Sequence, residues 1–226
     1  MKIQKLEWDS KFFNRRIGKL NLSQPKGCVL DEIKAYLLDT DFELIYVFSE
    51  SKIDNIEAID KKVIYINTTP KTADNDRSII DFSGNPDILY HLAFQAGHKS
   101  RFKIDRNLAN GDFERLYRLW VDNSINKSFA DYIKVYIADN KPIGFITAKR
   151  HSDKISIGLI AVDYNSRGLG IGKKLMISIM NIAAQEHIPV EVATQADNVG
   201  ACRFYESLGF TIQDTSYVYH FWTENN

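Results

Sequence analysis

Apolar positions along this chain switch between a period of two and a period near 3.6, and the switches outline an ordered series of strands and helices. Gly18-Lys19-Leu20-Asn21-Leu22 alternates like a half-buried strand, while Gly27 to Leu38 sets Val29, Leu30, Ile33 and Leu37 on one helical face. Glu43-Leu44-Ile45-Tyr46-Val47-Phe48 is an apolar run of the buried-strand type. A helical run is expected around Asp54 to Asp60, and Val63-Ile64-Tyr65-Ile66-Asn67 returns as a strand. Strand–helix–strand order with short turns favours parallel pairing. The polar stretch Thr68 to Arg77 has Pro70 and no apolar period, so it reads as a boundary or an exposed loop. It divides the chain into a small N-terminal α/β domain over 1–76 and a larger domain over 77–226.

The second part begins with a helix from Pro86 to about Ala96, a turn from Gly97 to Phe102, and a helix with Phe113, Leu116, Tyr117 and Trp120 on one face. A β meander comes next: Tyr132 to Ala138, a turn at Asp139-Asn140-Lys141-Pro142, Ile143 to Arg150, a turn at Ser152-Asp153, and Lys154 to Val162. Leu175, Met176, Ile179, Ile182 and Ala183 then repeat with a helical period. Val190 to Thr194 is the next strand, a helix begins after Asn198, and Phe210–Ile212 and Ser216–Trp222 close the chain as β structure. The class is α/β with a mixed sheet, of the α+β kind. Trp8, Phe12 and Phe13 are read as core aromatics.

Composition changes this picture little, but it excludes several function classes. With 44% apolar and 26% charged residues, the chain is ordinary globular material. Its 29 Lys and Arg balance 29 Asp and Glu, so no net field recruits nucleic acid or an anionic membrane. Cys28 and Cys202 lie far apart without metal-ligand spacing, which suits a reduced cytoplasmic protein and no metal. The start of the chain is too charged for a signal peptide, and Leu175 to Ala184 is too short to span a bilayer.

The chemistry concentrates at Arg167-Gly168-Leu169-Gly170-Ile171-Gly172-Lys173, between a strand and a helix. Glycines there let the backbone curl, so that several N–H groups share one concavity with the positive end of the helix dipole. Such a turn holds a pyrophosphate or is simply a turn. No Gly-Lys-Ser/Thr ends it as in a P-loop, and the glycine spacing is not G-x-G-x-x-G. Further on, Asn198 opens a helix that carries Tyr205 seven positions later, close to two turns away and therefore on the same face. That helix stops at Gly209. An amide and a phenol beside a pyrophosphate turn suit thioester chemistry. Tyr205 is otherwise a core-edge residue beside Phe204 and Leu208.

R-x-x-G-x-G at a strand-to-helix turn, followed by Asn198-Val199-Gly200-Ala201-Cys202-Arg203-Phe204-Tyr205-Glu206-Ser207-Leu208-Gly209-Phe210, resembles the GNAT superfamily of acetyl-CoA-dependent N-acetyltransferases from about Asp112 onward. The resemblance implies a GNAT fold preceded by an additional small α/β domain, with direct transfer of an acetyl group from acetyl-CoA to an amine. Arg167, Gly168, Leu169, Gly170, Ile171, Gly172 and Lys173 would cradle the CoA pyrophosphate, and Asn198 would contact the pantetheine. Backbone N–H groups at a splayed strand end near Ile160 and Val162 would hold the oxyanion, and Tyr205 would be the general acid. Leu6-Glu7-Trp8-Asp9-Ser10-Lys11-Phe12-Phe13, Arg16-Ile17-Gly18 and Leu92 to Phe102 further resemble the dTDP-fucosamine acetyltransferases. These acetylate the 4-amino group of a dTDP-linked 4-amino-4,6-dideoxygalactose for surface polysaccharide.

A sugar nucleotide brings a diphosphate, which an arginine fork and a nearby lysine match. Lys99, Ser100 and Arg101 are the expected acceptor contacts; solvated charges would explain the two cations equally. Lys149, Arg150 and His151 read as a solvated hairpin end. No base is identified: the strand before the glycine turn has no carboxylate until Asp163, Glu191 on the next strand suits a surface or sheet-neighbour role at least as well, His98 and His151 qualify by chemistry alone, and a water relay to a backbone carbonyl would serve equally. Acetylation of another small-molecule or peptide amine, or non-catalytic acetyl-CoA binding, remains the alternative. A homodimer is compatible with the sequence, and neither nucleic acid nor membrane insertion is expected.

Overall fold

Helices and strands appear largely in the order that the hydrophobic periods outline. The structure is a computed structural model that describes residues 2–23 and 29–223. In order, the elements are β1 (Gln4–Lys5), α1 (Glu7–Phe13), β2 (Ile17–Leu22), α2 (Val29–Leu38), β3 (Leu44–Ser49) and β4 (Asp60–Asn67). They continue with β5 (Ile79–Asp81), α3 (Asp87–Ala96), α4 (Arg101–Ile104), α5 (Asp112–Ile125), β6 (Tyr132–Ala138), β7 (Lys141–Arg150) and β8 (Ile155–Val162). Last come α6 (Ile171–Glu186), β9 (Val190–Gln195), α7 (Val199–Ser207) and β10 (Thr211–Trp222). Gly27 and Cys28 lie outside the described residues.

Backbone packing divides these elements into two compact units. One comprises the chain up to Val63, Gln195–Asp197 and the segment from Asp214; the other comprises Ile64–Thr194 and Asn198–Gln213. In the first unit β1 runs antiparallel to β2, β2 parallel to β3, and the C-terminal part of β10 antiparallel to β3. Parallel pairing of β2 and β3 results from the intervening α2, whose Ile33 and Leu37 join Leu20, Ile45, Val47, Ile53 and Tyr219 in one apolar core. The helix expected around Asp54 to Asp60 does not form. Asn55 takes a left-handed conformation at φ 61°, and Asp60 already belongs to β4. Non-local partners take the backbone donors: Ile53 N–H donates to the Tyr219 hydroxyl at 2.8 Å, and Ile59 N–H to the Val218 carbonyl at 2.9 Å. Of the aromatics read as core, Phe13 is buried, whereas Trp8 is 42% exposed and stacks on Phe12.

The second unit holds a meander of β5, β6, β7 and β8, all antiparallel, with β9 parallel to β8. Phe145 and Ile146 are adjacent on β7 and both fully buried, so both faces of the sheet are covered. A Cβ placed at Gly144 would touch Ile171 and Leu175, which puts α6 on the Gly144–Ile146 face. Helix α3 also packs on β7 and β8, and it packs against α5. The polar stretch 68–77 is strapped to α6. Asn181 bonds both the N–H and the carbonyl of Ala73, and Lys174 pairs with Asp76 at 2.8 Å. At the chain's end the two strands expected over 210–212 and 216–222 are one strand, β10.

Candidate functional site

Strand β8 builds the site because it is irregular. Thr147 faces Leu159 while Ala148 faces Ile157, which makes Gly158 an extra residue and a bulge. Parallel pairing of β8 with β9 runs from Ile155↔Val190 to Ile157↔Val192, with no further pair among the described residues, so the two strands part beyond the bulge. Leu159 N–H and Asp163 N–H are held on the β7 side, by the Thr147 hydroxyl at 2.8 Å and the Ile143 carbonyl at 2.9 Å. Because successive N–H groups alternate sides along a strand, those of Ile160 and Val162 point away from β7, into the gap.

Into the same space opens a cavity of about 600 Å³. Ile160, Ala161 and Val162 form one wall; the turn supplies Arg167, Gly168, Gly170, Ile171, Gly172 and Lys173; and α7 contributes Asn198, Gly200, Ala201, Phe204 and Tyr205. Gly168 and Gly170 adopt φ +81° and +75°, and a Cβ on either would meet nothing within 4 Å. These conformations turn the chain so that α6 starts on the cavity, with Gly170 as its N-cap and no acidic residue in its first turn. The N–H groups of Ile171, Gly172 and Lys173 therefore lack intrahelical acceptors and carry the positive end of the dipole. Arg167 bends back over the Tyr164 ring at 3.9 Å, and its Nε donates to the Val162 carbonyl at 3.1 Å. This concavity fits a pyrophosphate.

Asn198 caps α7 by accepting the Ala201 N–H and also lines the cavity. Tyr205 is 4% exposed yet reaches the lining, with its ring among Tyr65, Phe204 and Phe210. Burial, and secondarily Cys202, pushes its phenol well above the usual tyrosine range. Tyr65 is fixed beneath it, donating to Glu206 Oε1 at 2.9 Å.

The cavity gathers every expected cofactor residue except Leu169, which is 68% exposed and outside the lining. Lys99, Ser100 and Arg101 are outside it as well. Ser100 is buried and caps α4 by accepting the Phe102 N–H, and the Arg101 guanidinium lies over the Phe102 ring. Gln95, Ala96, His98 and Ser166 line the cavity although no motif points to them as cofactor contacts. What brings the end of α3 there is non-local: Gln95 bonds both Asp163 Oδ2 and the Tyr164 N–H. Hydrogen bonds from Gln95 and the Asn165 N–H hold the Asp163 carboxyl below its usual range, so it serves as a structural acceptor. Among the base candidates, Glu191 is paired with Lys154 and His151 contacts Ser156, whereas His98 is on the cavity wall. Its Nδ1 lies 3.0 Å from the Gln95 carbonyl, which can only accept, so a neutral His98 keeps its lone pair on Nε2.

Residues 101–210 match the acetyltransferase (GNAT) family. Spore coat polysaccharide biosynthesis protein SpsD of Bacillus subtilis (strain 168) is 29% identical over 140 residues, which is 62% of this chain and 48% of SpsD. The chain thus spans about half the length of that curated relative. Among solved structures, a functionally unknown conserved protein from Staphylococcus epidermidis superposes with a TM-score of 0.64 at 15% identity, covering 97% of this chain and 91% of its own. A GCN5-related N-acetyltransferase from Sphaerobacter thermophilus does so with a TM-score of 0.56 at 14% identity, covering 99% and 77%. At these identities the superpositions establish the fold. Among the described residues, no helix is long and apolar enough to cross a membrane.

Proposed function

We propose, from the match of residues 101–210 to the acetyltransferase (GNAT) family, that this chain transfers an acetyl group from acetyl-CoA to the amine of a nucleotide-linked amino sugar. The acceptor is dTDP-4-amino-4,6-dideoxygalactose, for a surface polysaccharide. The carrying observation is that one cavity joins an anion cradle, two strand N–H groups aimed into a gap, and a buried phenol.

Acetyl-CoA supplies an activated acetyl thioester. Arg167 and the first-turn N–H groups of α6 hold its pyrophosphate, and the Asn198 amide holds the pantetheine. The N–H groups of Ile160 and Val162 donate to the oxygen on which negative charge develops as the amine attacks. As the C–S bond breaks, Tyr205, kept protonated by burial, gives its proton to the departing sulfur, and the proton that the amine sheds on becoming an amide returns to the tyrosinate through solvent. Lys99 and Arg101, outside the cofactor cavity, grip the acceptor's diphosphate, with Ser100 at the same turn. The name of SpsD, a polysaccharide biosynthesis protein, supports the choice of acceptor class.

The test is incubation with acetyl-CoA and a panel of dTDP- and UDP-linked amino sugars, with products read by mass. Acetylation of a sugar nucleotide well ahead of the free amino sugar is expected, because the remote phosphates contribute binding that the free sugar lacks. Equal use of a free sugar or an unrelated amine refutes the acceptor, and no transfer to any amine refutes the enzyme.

A further inference from the structure

We infer that Thr147 is a positioning residue: its hydroxyl on β7 sets the bulge of β8 that aims the Ile160 and Val162 N–H groups into the cavity. The inference rests on the acetyl-transfer reading and gives it a side-chain cause.

An extra residue in a strand is left unpaired and disrupts the ladder around it. Here the extra residue is Gly158, and the N–H of the next residue, Leu159, donates to the Thr147 hydroxyl oxygen at 2.8 Å. Thr147 is 2% exposed, so the contact is sheltered from water. The opposing residue completes the arrangement. A Cβ on Gly158 would lie 2.9 Å from the same oxygen, closer than real side chains approach, so hydroxyl and glycine occupy one fitted space. Together with the β7 pairs of Ile160, Ala161 and Val162, this contact fixes the phase of the strand beyond the bulge. Ile160 and Val162 must then point their N–H groups away from β7, where β9 no longer pairs. With the hydroxyl gone, the bulge loses its side-chain contact, and the ladder to β7 is left to hold the strand beyond it alone. Valine keeps the shape of threonine and removes the acceptor; serine keeps the acceptor and removes a methyl group.

The experiment tracks backbone amide resonances of the full chain during acetyl-CoA titration, with steady-state kinetics on the same samples. In the wild type and in Thr147→Ser, acetyl-CoA should shift the amides of Gly168 to Lys173 and also those of Ile160 and Val162. In Thr147→Val the cradle amides should still respond, while the Ile160 and Val162 responses are lost. Turnover in that variant should fall by about 10²-fold at unchanged acetyl-CoA affinity, the scale of a displacement of about 1 Å. Gly158→Ala disturbs the same contact from an exposed backbone position and should reproduce the loss, which covers the case of a Thr147→Val chain that does not fold. Ile160 and Val162 amides that respond equally in wild type, Thr147→Val and Gly158→Ala overturn the positioning role and leave acetyl-CoA binding intact. Cradle amides that fail to respond in the wild type overturn the acetyl-CoA reading itself.

Discussion

Substituting Gly170 separates a ligand cradle from an ordinary helix start, because the chain supplies its own matched control. Gly170 and Gly111 are both left-handed N-caps, at φ 75° and 89°, and a Cβ on either meets nothing within 4 Å. Alanine should therefore cost each about the same, on the order of 1–2 kcal/mol for a left-handed non-glycine residue. In a chain of this size, that lowers Tm by roughly 2–8 °C. The two helix starts differ in what already sits on them. Helix α5 carries Asp112 and Glu114 in its first turn, and Asp112 accepts the Ala109 N–H, so its positive end is met by its own carboxylates. Helix α6 has no acidic residue there and opens on the cavity. Acetyl-CoA at about 100 times its Kd stabilises the native state by about 2.7 kcal/mol, a rise of roughly 5–11 °C. Thermal unfolding with and without acetyl-CoA is the assay. Gly111→Ala should keep the full ligand-induced rise, and Gly170→Ala should lose most of it because the new Cβ stands where the pyrophosphate must approach. Equal rises in the two variants refute the cradle.

Tyr205→Phe should lower kcat by about 10²–10⁴-fold with acetyl-CoA affinity unchanged; because burial raises the phenol's pKa, wild-type kcat should show no loss from its ionisation up to about pH 10. A basic limb near pH 8 that disappears in the Phe variant would contradict that assignment. Arg101→Ala should raise the acceptor KM and spare acetyl-CoA binding, with Arg101→Lys a partial rescue since lysine lacks the planar fork; a fall in Tm with an unchanged KM would instead assign the guanidinium to packing on Phe102. Asn181→Ala removes three hydrogen bonds from a side chain that is 7% exposed, two to Ala73 and one to Asn75. It should cost about 1–3 kcal/mol and open residues 68–77 to protease, and an unchanged cleavage pattern would disprove the strap. The Lys174 contact lowers the Asp76 pKa, so this part of the strap is in place above the unfolded carboxylate value of about 4 and weakens as pH falls through the lowered folded value.

The parts of the fold that were legible in the sequence are those whose causes are local. Helix α6 announces itself by its apolar period and by glycines whose positive φ the turn requires. Asp139 and Asn140 likewise adopt positive φ, 47° and 60°, forming a two-residue hairpin turn. The strand after it nevertheless starts at Lys141, two residues before the expected Ile143. Pro142 is tolerated inside β7 because the register shifts there, which relieves the ladder of a missing donor. Nothing adjacent in sequence reveals that shift. The helix expected around Asp54 to Asp60 failed for the corresponding reason: Val218 and Tyr219, near the far end of the chain, take the backbone donors of Ile59 and Ile53.

The candidate site divides along the same line. The cradle and α7 each lie within one short segment, so spacing alone could bring Asn198 and Tyr205 to one face. Gln95 and His98 reach the cavity only through bonds from Gln95 to Asp163 and Tyr164, which no period encodes. The alternatives for Tyr205, core packing or proton donor, are also not exclusive in the folded chain. Its ring packs among three aromatics while the residue still lines the cavity, and the burial that makes it a core residue also keeps its proton in place. Packing thus sets the chemistry of the group: a more exposed phenol would ionise more readily, and an aromatic without the hydroxyl would fill the space with no proton to give.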